Sequence, residues 1–373
     1  MARMSVEEIT LYHLQLPYLA PFQTSRWVER HHECVLVCLR AEGLTGWGEC
    51  VAGPNCAYSY ETTKTNWHIL EDFIIPAVLS TDLEDVPAYR AAIRHISGHP
   101  MAKAGMEMAL WDVFAQRAGV SLQKFIGGSG DRVSVGVSVG IQETTDKLLS
   151  VVDGYLADGY RRVKLKIKPG RDVSEATAIR NAHPNLLLQV DGNSVYRLSD
   201  AEHLRALDDF DLLLIEQPLA DDDIFDHAKL QLRLKTALCL DESITSVDHA
   251  RWALEMGACR IINIKPGRVS GMHEAIRIHD YCRERGVPVW MGGMLETGLG
   301  RAANVALASL PGFTLPGDIS ASARYYREDL IDPPFVLNPD STLSVPTGIG
   351  LGVNVQLERL ERATMRREVY RRN

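Results

Sequence analysis

Five ionisable residues recur at a nearly constant interval in the middle of this sequence. They are separated by 25, 25, 25 and 24 residues, and they are Lys166, Asp191, Glu216, Asp241 and Lys265. Four of them end a short apolar run, and Lys166 lies within Val-Lys-Leu-Lys-Ile. One strand-like run and one helical pattern per interval are typical of repeated βα units. The spacing therefore predicts that these charges lie together at one end of a parallel sheet.

The repeats also predict the architecture around the charges. Further strand-like runs at residues 133–139, 288–291 and 313–318 bring the count to about eight strands, as a (β/α)₈ barrel requires. The helices predicted between the strands span residues 144–157, 173–182, 199–207, 223–234, 246–256, 271–285 and 299–310. We therefore predict an α/β fold with a (β/α)₈ (TIM-like) barrel at residues 131–324.

The segment before residue 130 has a different pattern. Residues 6–16, 34–41 and 43–50 alternate like the strands of an antiparallel sheet, and residues 58–118 are helical in pattern. Residues 20–27 are predicted to form an irregular loop between the first two strands. We predict an α+β domain at residues 1–130, completed by the tail at residues 325–373, which is too short to form a domain of its own.

Composition excludes several classes of protein. A net charge of −8 provides no basic surface for nucleic acid and argues against binding to an anionic membrane. Seven scattered cysteines without a Cys-x-x-Cys pair fit reduced thiols rather than disulfides or a zinc site. The sequence also shows no signal peptide and no membrane-spanning run. We therefore expect a cytoplasmic protein whose partners are small molecules. A homo-oligomer is also expected, although composition does not fix the oligomeric state.

Three carboxylates at consecutive strand ends predict a metal site. A single acid after a strand is often a helix N-cap or a solvated loop residue, but capping does not require even spacing on three adjacent strands. Neighbouring carboxylates raise each other's pKa unless a cation is present. An oxygen-only donor set favours a hard divalent ion, Mg²⁺ or alternatively Mn²⁺. The candidate metal ligands are Asp191, Glu216 and Asp241.

Lysines flank these acids. Lys164 and Lys166 share one face of the strand at residues 163–167 because side chains alternate along a strand, and Lys265 ends the strand after the last acid. A Lys-x-Lys pair alone also fits a solvent-facing edge, as we expect for Lys168. Aliphatic side chains normally fill a barrel interior, so inward lysines indicate catalysis. Lys164 is expected to depress the pKa of Lys166 toward that of a useful general base.

The predicted geometry suggests a reaction. Lys166 and Lys265 would lie across the barrel axis, with the metal between them, so that each amine approaches one face of a bound carboxylate substrate. Proton abstraction from the α-carbon would give an enediolate whose charge the metal stabilises. Two opposed bases permit racemisation, whereas one base and a leaving group permit elimination. No histidine falls at a predicted strand end, so a histidine base is not expected.

Two other classes of protein compete with this interpretation. A Schiff-base aldolase would use a barrel lysine to attack a carbonyl group, but it leaves the three acids unexplained. A binding protein on the same scaffold would not need all five ionisable residues, and all five are present.

At these residues the sequence resembles the enolase superfamily, specifically its muconate-lactonizing-type subgroup and the o-succinylbenzoate synthase / N-succinylamino acid (N-acylamino acid) racemase family. The resembling segments are residues 19–25, 46–50, 136–140, 163–169, 191–193, 214–219, 240–243, 263–268 and 292–298. The resemblance implies a dehydration on the menaquinone route, racemisation of an N-acylated amino acid, or both. A cycloisomerase or dipeptide epimerase of the same subgroup is the alternative, although Asp318-Ile319-Ser320 lacks the Asp-x-Asp of dipeptide epimerases.

The resemblance also implies a role for individual residues. Asp191, Glu216 and Asp241 would bind Mg²⁺, and Lys166 and Lys265 would be the acid/base pair, assisted by Lys164. The residues that would support these groups from behind are Asn193 and Glu242, next to the metal ligands, and Arg268, next to Lys265. The residues that would line the substrate pocket are Phe22, Ser138, Gly293, Met294 and Leu295. The small domain would cap the barrel through Phe22 and residues 52–58.

Overall fold

The structure, a computed structural model, describes residues 3–372. Its N-terminal part is an antiparallel sheet in which the strands Met4–Gln23, Val28–Ala41 and Leu44–Cys50 are successive neighbours. The strand Thr364–Arg371 pairs with the other edge of the first strand, and the short strand Asp82–Leu83 pairs with its beginning. The predicted small antiparallel sheet is therefore confirmed.

The first strand is longer than the sequence indicates. Residues 20–27 are predicted as an irregular loop, and this prediction is wrong for residues 20–23, which continue the strand. The ladder shifts register between Pro17 and Phe22 and resumes with Phe22 opposite Glu29. Such a bulge absorbs extra residues without ending the strand, and the Phe22 side chain beyond it is buried, at 7% exposure.

Helices cover one face of this sheet. They span Thr63–Ile69, Leu70–Ile74, Ile75–Leu79, Val86–Ala92, Pro100–Arg117 and Leu122–Phe125. The long helix Pro100–Arg117 lies directly on the strand Leu44–Cys50, where a Cβ atom added at Gly48 would collide with the carbonyl oxygen of Gly105. Glycine at residue 48 therefore permits the close approach of helix and sheet, and most residues of this helix are buried.

The second part of the chain is a (β/α)₈ barrel. Its parallel sheet contains, in spatial order, the strands Val137–Val139, Arg162–Lys166, Leu187–Asp191, Ile215–Glu216, Leu238–Leu240, Ile261–Ile264 and Val289–Met291. The helical segments around it span Thr145–Ala157, Asp172–Ala182, Leu198–Asp200, Ala201–Arg205, Ala206–Phe210, Phe225–Gln231, Val247–Glu255, Met272–Glu284, Gly298–Ala308 and Ser322–Arg324. Every predicted barrel helix has a counterpart in this order.

The barrel closes differently from the prediction. Residues 313–318 are predicted as the eighth strand, but Pro316 and Gly317 interrupt regular pairing there, and the segment closes the barrel through isolated bridges. Gly317 donates its N–H to the carbonyl of Ser134 at 2.9 Å, and Asp318 donates to Met291 at 2.8 Å. The first strand, predicted at residues 133–139, is also divided, into Arg132–Ser134 and Val137–Val139.

The C-terminal tail contacts both parts of the molecule. The strand Thr342–Ser344 pairs antiparallel with Arg132–Ser134, and Ile331–Asp332 pairs antiparallel with Asn354–Val355. The helix Leu357–Ala363 then leads into the last strand of the antiparallel sheet. The domain boundaries at residues 130 and 324 stay a prediction.

Free thiols and the absence of a membrane-spanning helix characterise the described part of the chain. Among residues 3–372, no helix has both the length and the apolar character needed to cross a lipid bilayer. The seven cysteines carry free thiols, and all except Cys56 are buried. Burial raises the pKa of Cys259 and Cys282 to about 12. These thiols are therefore protonated and unreactive near neutral pH.

The buried carboxylate of Glu49 joins the antiparallel sheet to the barrel. The carboxylate of Glu49 accepts hydrogen bonds from His32 Nε2 at 2.8 Å, from the hydroxyl of Thr297 at 2.6 Å and from the N–H of Gly300 at 3.1 Å. Thr297 caps the N-terminus of the barrel helix Gly298–Ala308. Because a helix N-terminus favours negative charge, Glu49 stabilises the contact between the two parts.

Replacement of Glu49 by glutamine is expected to destabilise the protein by about 2 kcal/mol, because an amide N–H₂ would then face the N–H donors of the barrel helix. Calorimetry should show a lower Tm than for wild type. The matched control is Glu328→Gln, whose carboxylate forms an exposed pair with Arg362, and its effect should stay below about 0.5 kcal/mol. An equal Tm change in both variants would contradict the role given to Glu49.

The contact between His32 and Glu49 makes the stability of the fold depend on pH. Burial opposes the charge of His32, but the hydrogen bond and charge of Glu49 outweigh it and raise the pKa of His32 above its usual value of 6.5. The pair therefore stabilises the fold fully below the unfolded-state pKa, and this contribution is lost as the pH rises through the higher folded-state pKa. The Tm difference between wild type and Glu49→Gln should be larger near about pH 6 than near about pH 9.

Candidate active site

The three predicted acids lie side by side at the carboxyl end of the parallel sheet. Asp191 and Glu216 are directly paired residues on neighbouring strands, and Asp241 follows the next strand, Leu238–Leu240. All three side chains are fully buried, at 0% exposure. We call Asp191, Glu216 and Asp241 the acid row. The prediction that these residues come together is confirmed, while their role as metal ligands stays a prediction.

The predicted lysines point into the same end of the barrel. Lys166 Nζ lies 2.5 Å from Asp191 Oδ2, at one end of the acid row, and Lys265 Nζ lies 2.7 Å from Asp241 Oδ2, at the other end. Lysine ammonium groups need partners when they are buried, and these two residues are only 8% and 6% exposed. Two amines therefore flank a common space from opposite sides.

Lys164 lies deeper in the barrel. Its Nζ contacts Glu216 at 2.8 Å, Asp191 at 3.3 Å and Asp318 at 2.5 Å. Burial opposes the charge of Lys164, but the three carboxylates outweigh it and hold the pKa of this lysine well above its usual value. Lys164 is therefore a fixed positive charge next to Lys166.

The electrostatics of the acid row reflect its crowding. Burial, followed by the charge of Asp191, raises the pKa of Glu216 well above its usual value. Burial opposes the ionised form of Asp241, but the charges of Lys265 and Arg268 outweigh it and lower its pKa. Protein cations thus compensate the outer acids, and the central one is the least compensated.

Asn193 and Glu242 lie beside the acid row, where the N–H of Asn193 donates to Asp191 Oδ1 at 2.9 Å, and their supporting role stays a prediction. Asn193 donates from Nδ2 to Glu242 Oε1 at 3.2 Å, whereas Asn193 Oδ1 and Glu242 Oε2 are buried and have no hydrogen-bond partner among residues 3–372. Burial, followed by the charges of Asp241 and Asp191, raises the pKa of Glu242 to about 7. Unpartnered buried oxygens beside three carboxylates form a donor set that fits a hard divalent cation and its water ligands.

Three other side chains, His32, Cys34 and Glu49, lie close enough together to hold a metal ion. One potential ligand atom of each of these residues lies within 4.8 Å of those of the other two. The Glu49 oxygens already accept hydrogen bonds from the barrel helix, and burial raises the pKa of Cys34 well above its usual value. The carboxylates of the acid row do not form such a close group in the described part of the chain. The two outer ones, Asp191 and Asp241, are each paired with a lysine.

Arg268 and Lys265 share the carboxylate of Asp241 as a partner. Its Nε donates to the carbonyl of Ile244 at 2.7 Å, and its Nη1 contacts Asp241 Oδ1, while Lys265 contacts the other oxygen of the same carboxylate. Arg268 thus fixes the acid against which Lys265 lies. The supporting role implied for Arg268 stays a prediction, and any effect of Arg268 on Lys265 would pass through Asp241.

One cavity connects the lysines to the antiparallel domain. The predicted pocket residues all line it, namely Phe22, Ser138, Gly293, Met294 and Leu295. Lys164, Lys166 and Lys265 form its floor, and residues from the 52–58 segment form part of its roof. The antiparallel domain therefore covers the mouth of the barrel at the point where the lysines are accessible.

Sequence reasoning missed three polar residues of this site. Asp318 binds Lys164 and also accepts a hydrogen bond from Arg162 Nη1 at 2.6 Å. Asn263 donates from Nδ2 to Glu216 Oε1 at 2.7 Å. The alternation that placed Lys164 and Lys166 inside the barrel also places Arg162 there, and Asn263 interrupts an otherwise apolar strand. Both signals were present in the sequence.

Two family descriptions of known proteins together match most of this chain. The description "Mandelate racemase / muconate lactonizing enzyme, N-terminal domain" matches residues 7–127, and "Enolase C-terminal domain-like" matches residues 147–359. An enolase superfamily member from Listeria innocua has a crystal structure with a TM-score of 0.95 to this chain at 41% identity. The match covers 99% of this chain and 100% of that chain.

Two relatives of similar identity carry different names. The o-succinylbenzoate synthase of Geobacillus kaustophilus is 49% identical over 373 residues, covering 99% of this chain and 98% of the relative. The N-succinylamino acid racemase of Amycolatopsis sp is 48% identical over 364 residues, covering 97% of this chain and 98% of the relative. The acid row, the opposed lysines and these matches together show that the chain belongs to the mandelate racemase / muconate lactonizing enzyme family of the enolase superfamily.

Proposed function

We propose that this protein is a Mg²⁺-dependent enzyme that removes the α-proton of a carboxylate substrate. Its activity would be that of an o-succinylbenzoate synthase, an N-succinylamino acid racemase, or both. The observation that carries the proposal is the placement of Lys166 and Lys265 at opposite ends of the acid row, within one pocket. Relatives at nearly equal identity bear both names, which supports a site suited to either reaction.

Members of the enolase superfamily generally use a divalent metal. We propose that Asp191, Glu216 and Asp241 would hold Mg²⁺ here, with Mn²⁺ as a substitute, because their oxygen-only donor set suits these ions. When bound, the ion supplies positive charge for the oxygens of an enediolate. Asn193 and Glu242 would orient the ligands and their water molecules through their buried oxygens.

In racemisation, the two lysines exchange protons with opposite faces of the α-carbon. Lys166 Nζ removes the proton on one face, and the ammonium of Lys265 delivers a proton to the other face. In the reverse direction the roles are exchanged. The raised pKa of Lys265, which the charge of Asp241 produces against the effect of burial, fits its role as the initial proton donor in this direction.

In the synthase reaction, one base is sufficient. Lys166 removes the α-proton of the cyclohexadiene carboxylate substrate and then returns that proton to the departing hydroxyl group, so that the C–O bond breaks and water leaves. Lys265 stays protonated beside the enediolate oxygens. The two reactions therefore use the same groups and differ in the shape of the substrate.

We also propose the cellular context of this activity. The synthase reaction would place the enzyme on the menaquinone route, in the cytoplasm, as a homo-oligomer that binds neither nucleic acid nor membranes. Residues 1–130 and 325–373 would form the capping domain, and residues 131–324 would form the catalytic barrel.

The proposal is tested by incubating the purified protein with Mg²⁺ and N-succinyl-L-phenylalanine in deuterated water. NMR follows α-proton exchange, and polarimetry follows racemisation. We expect both, and we expect EDTA to abolish them and added Mg²⁺ to restore them. Exchange without racemisation would favour the synthase, which is then assayed with its cyclohexadiene carboxylate. Failure of exchange, racemisation and dehydration with metal present would contradict the proposal.

A further inference from the structure

Tyr58 reaches from the antiparallel domain to the Asp241 end of the acid row. Its hydroxyl donates to Asp241 Oδ1 at 2.9 Å and accepts from Lys265 Nζ at 3.1 Å. The same Nζ lies 4.6 Å from the centre of the Tyr58 ring. These contacts join residues 183 and 207 positions apart in the sequence. A capping residue is therefore in direct contact with the amine of a proposed acid/base lysine.

Tyr58 contacts Lys265, at one end of the acid row, and not Lys166, at the other end. Among the described residues, Lys166 bonds to Asp191, and no hydrogen bond or ring contact joins it to Tyr58. The antiparallel domain approaches the Lys166 side at another point, where the hydroxyl of Ser25 donates to the carbonyl of Gly192 at 3.0 Å. The two ends of the acid row thus receive separate contacts from the cap.

The contacts restrict a flexible side chain. A lysine amine lies at the end of a flexible four-carbon chain. Lys265 Nζ contacts Asp241 Oδ2 at 2.7 Å, the Tyr58 hydroxyl and the face of the Tyr58 ring. Trp27 in turn packs edge-on against that ring, with centroids 6.2 Å apart. Proton transfer to carbon depends on sub-ångström placement of the base. Loss of one of these contacts would therefore misplace the amine.

We propose that Tyr58 is a positioning residue for Lys265 but not for Lys166, so that the capping domain controls proton transfer on one face of the substrate. This inference rests on the proposed function, because it requires both lysines to exchange α-protons. Racemisation, which needs proton transfer at Lys265, depends on Tyr58 more strongly than the dehydration that uses Lys166 as its base.

The experiment separates the two faces with single-lysine backgrounds. In Lys166→Ala, α-proton exchange of N-succinylphenylalanine in deuterated water reports on Lys265, and in Lys265→Ala it reports on Lys166. Tyr58→Phe is added to each background, because it removes the hydroxyl and keeps the ring. We expect exchange to fall about tenfold or more in the Lys166→Ala background. In the Lys265→Ala background the change should stay below about twofold.

Controls distinguish positioning from a general disturbance of the cap. Tyr60→Phe alters a neighbouring tyrosine that is 63% exposed, and it should change exchange in neither background. Tyr58→Leu removes the ring as well and should lower Lys265-dependent exchange further, while matched Tm values exclude unfolding. Equal loss in both backgrounds, or no loss in either, would overturn this inference alone. Absence of metal-dependent exchange in the wild type would remove the proposed function as well.

Discussion

Replacement of Lys265 by alanine is expected to lower racemisation of N-succinylphenylalanine by about 10³-fold, because general acid or base catalysis on one face is lost. The α-proton of one enantiomer should still exchange with solvent, since Lys166 and its contact with Asp191 at 2.5 Å are unaffected. Asp241 keeps its contact with Arg268, so the metal site should remain. Polarimetry measures racemisation, and NMR measures exchange for each enantiomer.

The reciprocal variant provides the internal control. Lys166→Ala should retain exchange only for the opposite enantiomer, and it should also abolish dehydration, which uses Lys166 as its base. Lys229→Ala, on the barrel helix Phe225–Gln231, changes an exposed lysine and should behave as wild type. Loss of exchange for both enantiomers in either single variant would contradict a mechanism with one lysine on each face.

Replacement of Glu216 by glutamine is expected to weaken divalent metal binding by more than about 100-fold. Removal of a group that only supports a ligand already costs 10- to 100-fold, and Glu216 is the central, fully buried member of the acid row. The glutamine Oε1 can still accept from Asn263, so the variant should fold. Titration with Mn²⁺ followed by electron paramagnetic resonance measures the affinity, and activity should fall in parallel.

The control for this variant is another buried acid of the barrel. Glu175 is 2% exposed and pairs with Arg171, away from the acid row. Glu175→Gln should leave the affinity for Mn²⁺ unchanged. If Glu216→Gln bound Mn²⁺ as the wild type does, the acid row would not be the metal site.

Much of the site was predictable because its geometry follows from topology. The carboxyl ends of parallel strands meet at one edge, so the interval between Asp191, Glu216 and Asp241 is sufficient to place them side by side. The alternation of side chains placed Lys164 and Lys166 inside the barrel for the same reason. These inferences need only a period and a strand direction, which the sequence carries locally.

Other features depend on contacts between distant segments. The sequence gives no sign that Tyr58 meets Asp241, because that contact is set by how the cap lies on the barrel. Residues 313–318 have an apolar strand-like pattern, yet Pro316 removes a backbone donor and prevents a regular ladder. The extension of the first strand to Gln23 depends on a bulge at Pro17 to Phe22 that periodicity does not detect.

The most direct test of metal binding at the acid row is a diffraction experiment on crystals grown with Mn²⁺. The data are collected so that the anomalous scattering of Mn²⁺ can be measured. We predict a peak between the carboxylates of Asp191, Glu216 and Asp241, flanked by the amines of Lys166 and Lys265. A peak at His32, Cys34 and Glu49 alone, or no peak at the acid row under saturating Mn²⁺, would contradict metal-assisted proton abstraction at this site.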